Sequence, residues 1–343
     1  MSSPQIAPLN SELRTKLRAY VDGLAKPPGA LGRMEDLAVR IGLIQGRLQP
    51  EAQRAILLVF AGDHGLTEEG VSRYPAAVTL SMVQTFLAKR ASANAFAKAT
   101  DVEMRVVDAG IAADFPDHPA LVKLSVRRGT RNAAKEAALT AAEVDTALSR
   151  GIELGKQITA QGFDILACGE MGIGNTASAA LIMHRLLPLP LELCVGPGAG
   201  HDDAGLAHKL EVLKCAAARS RASAPLDVLA EFGGCEIAMM AGAILGAAAA
   251  RRIIVIDGFI SSAAALAAIR INPLAQDYCV FSHCSAETGH TRMLRDLGVE
   301  PLLNLEMRLG EGTGALLTVP MIRAAARLLS DVATLEEVLK GAR

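Results

Sequence analysis

Glu311 lies in Arg308-Leu309-Gly310-Glu311-Gly312-Thr313-Gly314, a carboxylate set among glycines just ahead of an apolar helical stretch. It has two possible uses. It can satisfy the dipole of the following helix, or, partly buried with its pKa raised, it can serve as a general base. Gly172-Ile173-Gly174-Asn175-Thr176, directly after Glu170, offers different chemistry. Glycines let backbone N–H groups approach an anion and a helix N-terminus adds a favourable dipole, so phosphate is the natural guest. A plain tight turn would have the same composition. No Gly-Lys-Ser/Thr follows, so this is not a Walker A loop.

Gly196-Pro197-Gly198-Ala199-Gly200 is a further glycine loop. Asp202 and Asp203 after it would cap a helix running through Lys209 and Lys214, which ordinary capping with solvated lysines would also explain. Asp63-His64, His201-Asp202-Asp203 and His283 with His290 are residue types that bind zinc or manganese. They lack H-E-x-x-H or H-x-H spacing, and hydrogen bonding within a cleft is the plainer reading. Ser282, His283 and Ser285 hint at a Ser-His hydrolase, but no G-x-S-x-G elbow is present. None of the six cysteines forms a C-x-x-C pair, and most lie in apolar runs, which points to buried reduced thiols rather than a zinc site.

These residues need a scaffold. Short apolar runs alternate with helical stretches, which predicts a largely parallel α/β sheet. Candidate strands are Ala55–Phe60, Met104–Val107, Asp164–Cys168, Leu191–Val195, Ile253–Ile256 and Tyr278–Phe281, the fourth being short and broken by proline. Each runs into glycine or polar residues: Gly62-Asp63-His64, Asp108-Ala109-Gly110, Gly169-Glu170, Gly196-Pro197-Gly198, Asp257-Gly258 and Ser282-His283 through Glu287. Ligands of open α/β sheets bind at the carboxyl ends of strands, so these turns predict one shared cleft. Residues 9–48 and the segment after Glu311 look helical, with Leu9, Leu13, Leu17 and Leu24 roughly on one face. The two ends are expected to pack together as a smaller helical domain (1–50 with 302–343) over the cleft of a large α/β domain (51–301).

The chain has 343 residues, half of them hydrophobic, enough for a sizeable core. Trp is absent, and Ala and Gly dominate, favouring close helix packing over aromatic stacking. A net charge of −1 provides no basic field for nucleic acid or an anionic membrane. The N-terminus lacks the basic and apolar regions of a signal peptide. The longest uncharged apolar run, Ile237–Ala250, falls short of the roughly 20 residues of a membrane span.

Ten segments in order resemble the nicotinate-nucleotide–dimethylbenzimidazole phosphoribosyltransferase family: KPPGALGRMEDLA (26–38), AGDHGLTEEGVSRYPAAVT (61–79), DAGI (108–111), GTRN (129–132), CGEMGIGNTASAA (168–180), GPGAGHDDAGLAHK (196–209), FGGCEIAMMAGA (232–243), DGFISSAAAL (257–266), SHCSAETGH (282–290) and RLGEGTGALL (308–317). The resemblance implies transfer of ribose 5-phosphate from nicotinate mononucleotide to 5,6-dimethylbenzimidazole, giving α-ribazole 5′-phosphate and nicotinate for the cobalamin lower ligand. It implies a Rossmann-like parallel sheet with helices on both faces plus a small helical domain from both chain ends. It further implies a cytoplasmic homodimer that uses neither metal nor organic cofactor.

Carried onto this sequence, the family's general base falls on Glu311, with Glu170 in the same cleft. Lys209 and Gly174, Asn175 and Thr176 are implied as phosphate contacts, and Tyr74 and Leu309 as borders of the benzimidazole. Ser81, Gly172, Gly198, Ser285, Arg308 and Gly312 complete the implied substrate-binding set. Ser81 stands where family members often have Gln, and Pro197 where they often have Arg. Two other classes stay in view: a metal-dependent hydrolase built on the Asp/His pairs, and a nucleotide-binding module without catalysis. Chelation and base-dependent nicotinate release separate the first, and Glu311 argues against the second.

Overall fold

The computed structural model describes residues 3–198 and 200–341. Ala199 of the Gly196–Gly200 loop, and residues 1, 2, 342 and 343 of the expected terminal domain, lie outside them. Six parallel strands form one sheet: β1 (Ala55–Gly62), β2 (Glu103–Gly110), β3 (Leu121–Lys123), β4 (Ile165–Met171), β5 (Ile253–Ile256) and β6 (Cys279–Phe281). Their order is β3-β2-β1-β4-β5-β6. Every residue of β1 and β5, and all of β4 but Met171, is buried. Successive strand residues point to opposite faces, so helices must cover both sides. Each Leu or Ile sealed this way contributes about 1.5–3 kcal/mol.

Five of the six expected strands are present. Leu191–Leu193 instead forms a 3₁₀ turn entered from Pro190. Proline has no N–H to give a ladder, and Pro188 and Pro190 flank the segment closely. The sixth strand, β3, pairs with β2 at the sheet edge through three residues.

The Ala/Gly-rich composition appears in the pairing of helices Ala141–Ala160 and Cys235–Ala249. A Cβ on Gly155 would come within 2.6 Å of the Ala243 carbonyl oxygen, so only glycine allows this approach. Both chain ends pack together. Helix Ser11–Asp22 rests on Arg33–Gln45, which rests on Thr313–Leu328. Ala25 N–H donates to Ala333 O and Leu335 N–H to Gly23 O, each at 2.9 Å. Their buried side chains join one core that continues through the sheet. No helix among the described residues is long and apolar enough to cross a membrane.

β1 sits between β2 and β4, with the chain running outward to β3 on one side and to β6 on the other. The carboxyl ends of β1 and β4 are therefore the point where winding reverses, and the crevice there is where such sheets bind ligands. Ala61 of β1 is in register with Met171 of β4, so Gly62-Asp63-His64 and the Gly172–Gly174 turn emerge side by side.

Candidate active site

A cavity of about 580 Å³ opens at these strand ends. Its wall includes Tyr74, Glu170, Gly172, Gly174, Asn175, Thr176, Gly198, Ser285, Arg308, Leu309 and Glu311, drawn from segments far apart in sequence. Residues 308–311 bring the C-terminal end of the chain into the wall, while none of residues 3–50 lines it. The expected cover from both chain ends is thus supplied from one of them.

Glu311 is held by unusual backbone. Gly310, Glu311 and Gly312 have φ of 86°, 61° and 84°, three consecutive left-handed residues. For glutamate this costs about 1–2 kcal/mol. The turn lies directly on β4, where a Cβ on Gly169 would approach the Glu311 carbonyl oxygen to 2.7 Å. Asp257, following β5, fixes the turn from below: its Oδ2 accepts from Gly312 N–H at 3.2 Å and its Oδ1 from Ala315 N–H at 2.9 Å. The Glu311 side chain is buried, and its Oε2 accepts from Ala93 N–H at 3.3 Å, in the first turn of helix Ser92–Ala99. Burial pushes its pKa above the usual carboxylate range, with Ala93 N–H opposing and Asp257 adding to the rise.

Glu170 leaves the end of β4 opposite Phe60 of β1. Its Oε2 accepts from the Asn175 side-chain amide. Burial raises its pKa to about 8; Asn175 opposes this, and the charges of Asp257, Glu236 and Glu311 add to it. At neutral pH the free protein therefore holds Glu170 mostly protonated.

Gly174 caps helix Asn175–Leu186 at φ 90°; Asn175 N–H turns back to Gly172 O and Ala177 N–H to Gly174 O, and among the described residues no side chain accepts from the N–H groups of this first turn. The helix begins at the cavity wall. Lys209 lies behind the wall, not in it. Its buried Nζ donates to Thr176 Oγ1 at 2.9 Å and Gly196 O at 3.0 Å, and burial lowers its pKa to about 8.

Two other implied contacts fall outside the cavity. Ser81 is exposed, its hydroxyl reaching back to Ala77 O. Val78 and Met82, one turn apart, are the wall residues of helix Ala77–Leu87, and Ser81 is turned about 100° from Met82. Gly312 is buried against Leu57 and Gly169 and contributes its N–H to Asp257. Its place is dictated by packing and by the turn it closes.

Sequence reasoning did not single out Asp257, Glu287 or Met171 in the wall, and weighed His283 only for a metal or a hydrolase. Their strand-end positions were the available signal. Of the metal reading's residues, His283 stays in the wall with its Nε2 3.7 Å from Asp257 Oδ1, while His64, Asp63, Asp202, His201 and His290 are engaged with different partners. His64 bonds Glu236 Oε1 at 2.7 Å and Ser178 Oγ at 3.0 Å. Burial opposes its charge, but Glu236 and Asp63 together outweigh burial and raise its pKa. Asp63 accepts from Ala112 N–H, and Asp202 caps helix Asp203–Arg219. His201 bonds Val71 O. His290 bonds Ser262 Oγ and accepts from Ser285 N–H, and burial lowers its pKa to about 3. Among the described residues no three His, Cys, Asp or Glu converge as a metal site requires. All six cysteines are unpaired, four of them buried.

A family model described as "Phosphoribosyltransferase" matches residues 6–338. The chain is 50% identical over 335 residues, 97% of each sequence, to a Cupriavidus necator protein named nicotinate-nucleotide–dimethylbenzimidazole phosphoribosyltransferase. A Geobacter sulfurreducens protein of that name is 43% identical, covering 97% of this chain and 95% of its own. The crystal structure of CobT from Thermus thermophilus superposes with a TM-score of 0.92 at 44% identity, over 95% of this chain and 98% of that one. With a cleft of this geometry and similarity along its whole length, the chain belongs to the phosphoribosyltransferase family that includes the nicotinate-nucleotide–dimethylbenzimidazole phosphoribosyltransferases.

Proposed function

We propose that the protein transfers ribose 5-phosphate from nicotinate mononucleotide to 5,6-dimethylbenzimidazole, with Glu311 as general base. The observation carrying this reading is a buried carboxylate, with its pKa raised by burial, on a turn of three left-handed residues in the same cavity wall as a helix N-terminus whose cap is a glycine. Nicotinate bound to ribose is a pyridinium and departs without a proton. The attacking benzimidazole must lose its ring proton, so one base suffices.

Gly172, Gly174, Asn175, Thr176 and Gly198 are assigned to the phosphate end. The unfilled cap of helix Asn175–Leu186 supports this. Lys209 adds its charge from behind Thr176, anchoring Thr176 rather than reaching the ligand first. Holding the phosphate far from the reacting carbon orients that carbon for displacement. Tyr74 and Leu309, half exposed at the wall, with Val78, Met82 and Met171, are assigned to the flat apolar base.

Glu170 is assigned to the ribosyl carbon, which gains oxocarbenium character as the pyridinium leaves. Its proton in the free protein fits this role, because an arriving cation lowers a carboxyl pKa. The small terminal domain (1–50 with 302–343), a homodimer and a cytoplasmic setting belong to the same proposal. The unpaired cysteines support a reducing compartment, and sedimentation of the purified chain tests the dimer.

The deciding test is incubation with nicotinate mononucleotide and a panel of bases, followed by mass analysis. Nicotinate and a riboside 5-phosphate of the base should appear together. Nicotinate release independent of added base, or none at all, would sink the reading.

A further inference from the structure

Glu287 lines the same cavity and has no part in the scheme above. It is the N-cap residue of helix Thr288–Asp296, where a carboxylate ordinarily bonds the helix's first N–H groups. Its side chain makes no such bond. It is 5 % exposed, and among the described residues its Oε2 has no hydrogen-bond partner. Burial raises its pKa, opposed by Lys209, Arg308 and the Gly198 N–H. Leaving a buried carboxylate oxygen unpaired costs stability, so a partner supplied by the ligand is the economical explanation.

The donor inventory of the substrates narrows that partner. A carboxylate accepts hydrogen bonds. The phosphate and nicotinate carboxylate are acceptors of like charge, and the pyridinium nitrogen carries no hydrogen. The ring N–H of the incoming base is assigned to Glu311. Of the other wall carboxylates, Glu170 accepts from Asn175 and Asp257 from Gly312 and Ala315. The remaining donors are the 2′- and 3′-hydroxyls of the ribose. We propose that Glu287 accepts hydrogen bonds from the ribose hydroxyls and makes the site selective for ribonucleotides over deoxyribonucleotides. This inference rests on the transferase reading for the identity of the sugar.

The test compares nicotinate mononucleotide with its 2′-deoxy and 3′-deoxy analogues on wild type, Glu287→Gln and Glu287→Ala. A charge-assisted hydrogen bond in a buried site corresponds to about 10- to 100-fold in kcat/KM. Wild type should lose that factor on one of the two deoxy analogues. Glu287→Ala should lose it on the ribonucleotide and lose little more on that analogue, because one contact cannot be removed twice. Losses that multiply would overturn the proposal. So would an equal rise in KM for all three nucleotides, the mark of a protonated Glu287 donating to phosphate. Calorimetric binding without base reads the same contrast if a variant turns over too slowly, and absence of ribo/deoxy discrimination in wild type overturns the proposal without any variant. Wild type that binds selectively but releases no nicotinate would remove the transferase reading and leave Glu287's role standing.

Discussion

Two helices begin at the same cleft in nearly the same way. Helix Asn175–Leu186 is capped by Gly174 at φ 90°, and helix Thr313–Leu328 by Gly312 at φ 84°. At the second, the protein supplies the anion: Asp257 bonds the N–H groups of Gly312 and Ala315. At the first, among the described residues, only the backbone carbonyls of Gly172 and Gly174 accept from the opening N–H groups, and Gly174, Asn175 and Thr176 border the cavity. The same local sequence logic thus serves two ends. A filled terminus makes a rigid platform for the Glu311 turn, and an open one makes a receptor for a ligand's phosphate.

The largest expected effect comes from removing what the filled terminus positions. Glu311→Gln should lower kcat by about 10²- to 10⁴-fold, leaving calorimetric nucleotide affinity near wild type. In wild type, kcat should fall as pH drops through the raised Glu311 pKa, because only the carboxylate accepts a proton. Near-normal turnover in the variant would detach the platform from the chemistry.

Filling the open terminus should copy Asp257. Thr176→Asp places a carboxylate beside Lys209 in the first turn of helix Asn175–Leu186 and should raise KM for the nucleotide about 10- to 100-fold. An unchanged KM would show that phosphate binds elsewhere. Emptying the filled terminus is milder: Asp257→Asn should cost about 1–2 kcal/mol of stability, a Tm decrease of a few degrees. It should also lower kcat, as the Glu311 turn loses its fixed position. A variant as stable as wild type would deny Asp257 its capping role.

The smallest signal is a proton. Glu170, with its pKa near 8, should release up to about one proton when the nucleotide's pyridinium ring binds beside it at pH 7. Calorimetry in buffers of different ionisation heat measures this, with Glu170→Gln as the reference. Equal proton counts would place the cation away from Glu170.

Long apolar strands were legible in the sequence because β1, β4 and β5 are buried on both faces. The three-residue edge strand β3 carries too few residues for a pattern. Leu191–Val195 has an apolar run, but its prolines cannot complete a ladder. In the site, Glu170, Glu311 and Gly174 stood out because a carboxylate or a helix start among glycines is chemically conspicuous. Lys209 entered the site only through the family resemblance, and its retreat behind Thr176 depends on helix Asp203–Arg219 seating it there. Ser81 and Met82 differ by one residue and about 100° of helix rotation, which a motif match alone does not resolve. Asp257 and Glu287 acquire meaning only from contacts with residues distant in sequence.

The most direct test is a crystal structure of the Glu311→Gln variant with nicotinate mononucleotide and dimethylbenzimidazole, a pair that this substitution should hold unreacted. The phosphate should rest on the N–H groups of the Gly174 turn, with the substituted side chain at position 311 within hydrogen-bond reach of the base's ring nitrogen. A phosphate bound away from that turn, or a base beyond reach of position 311, would contradict the division between an open helix end and a filled one.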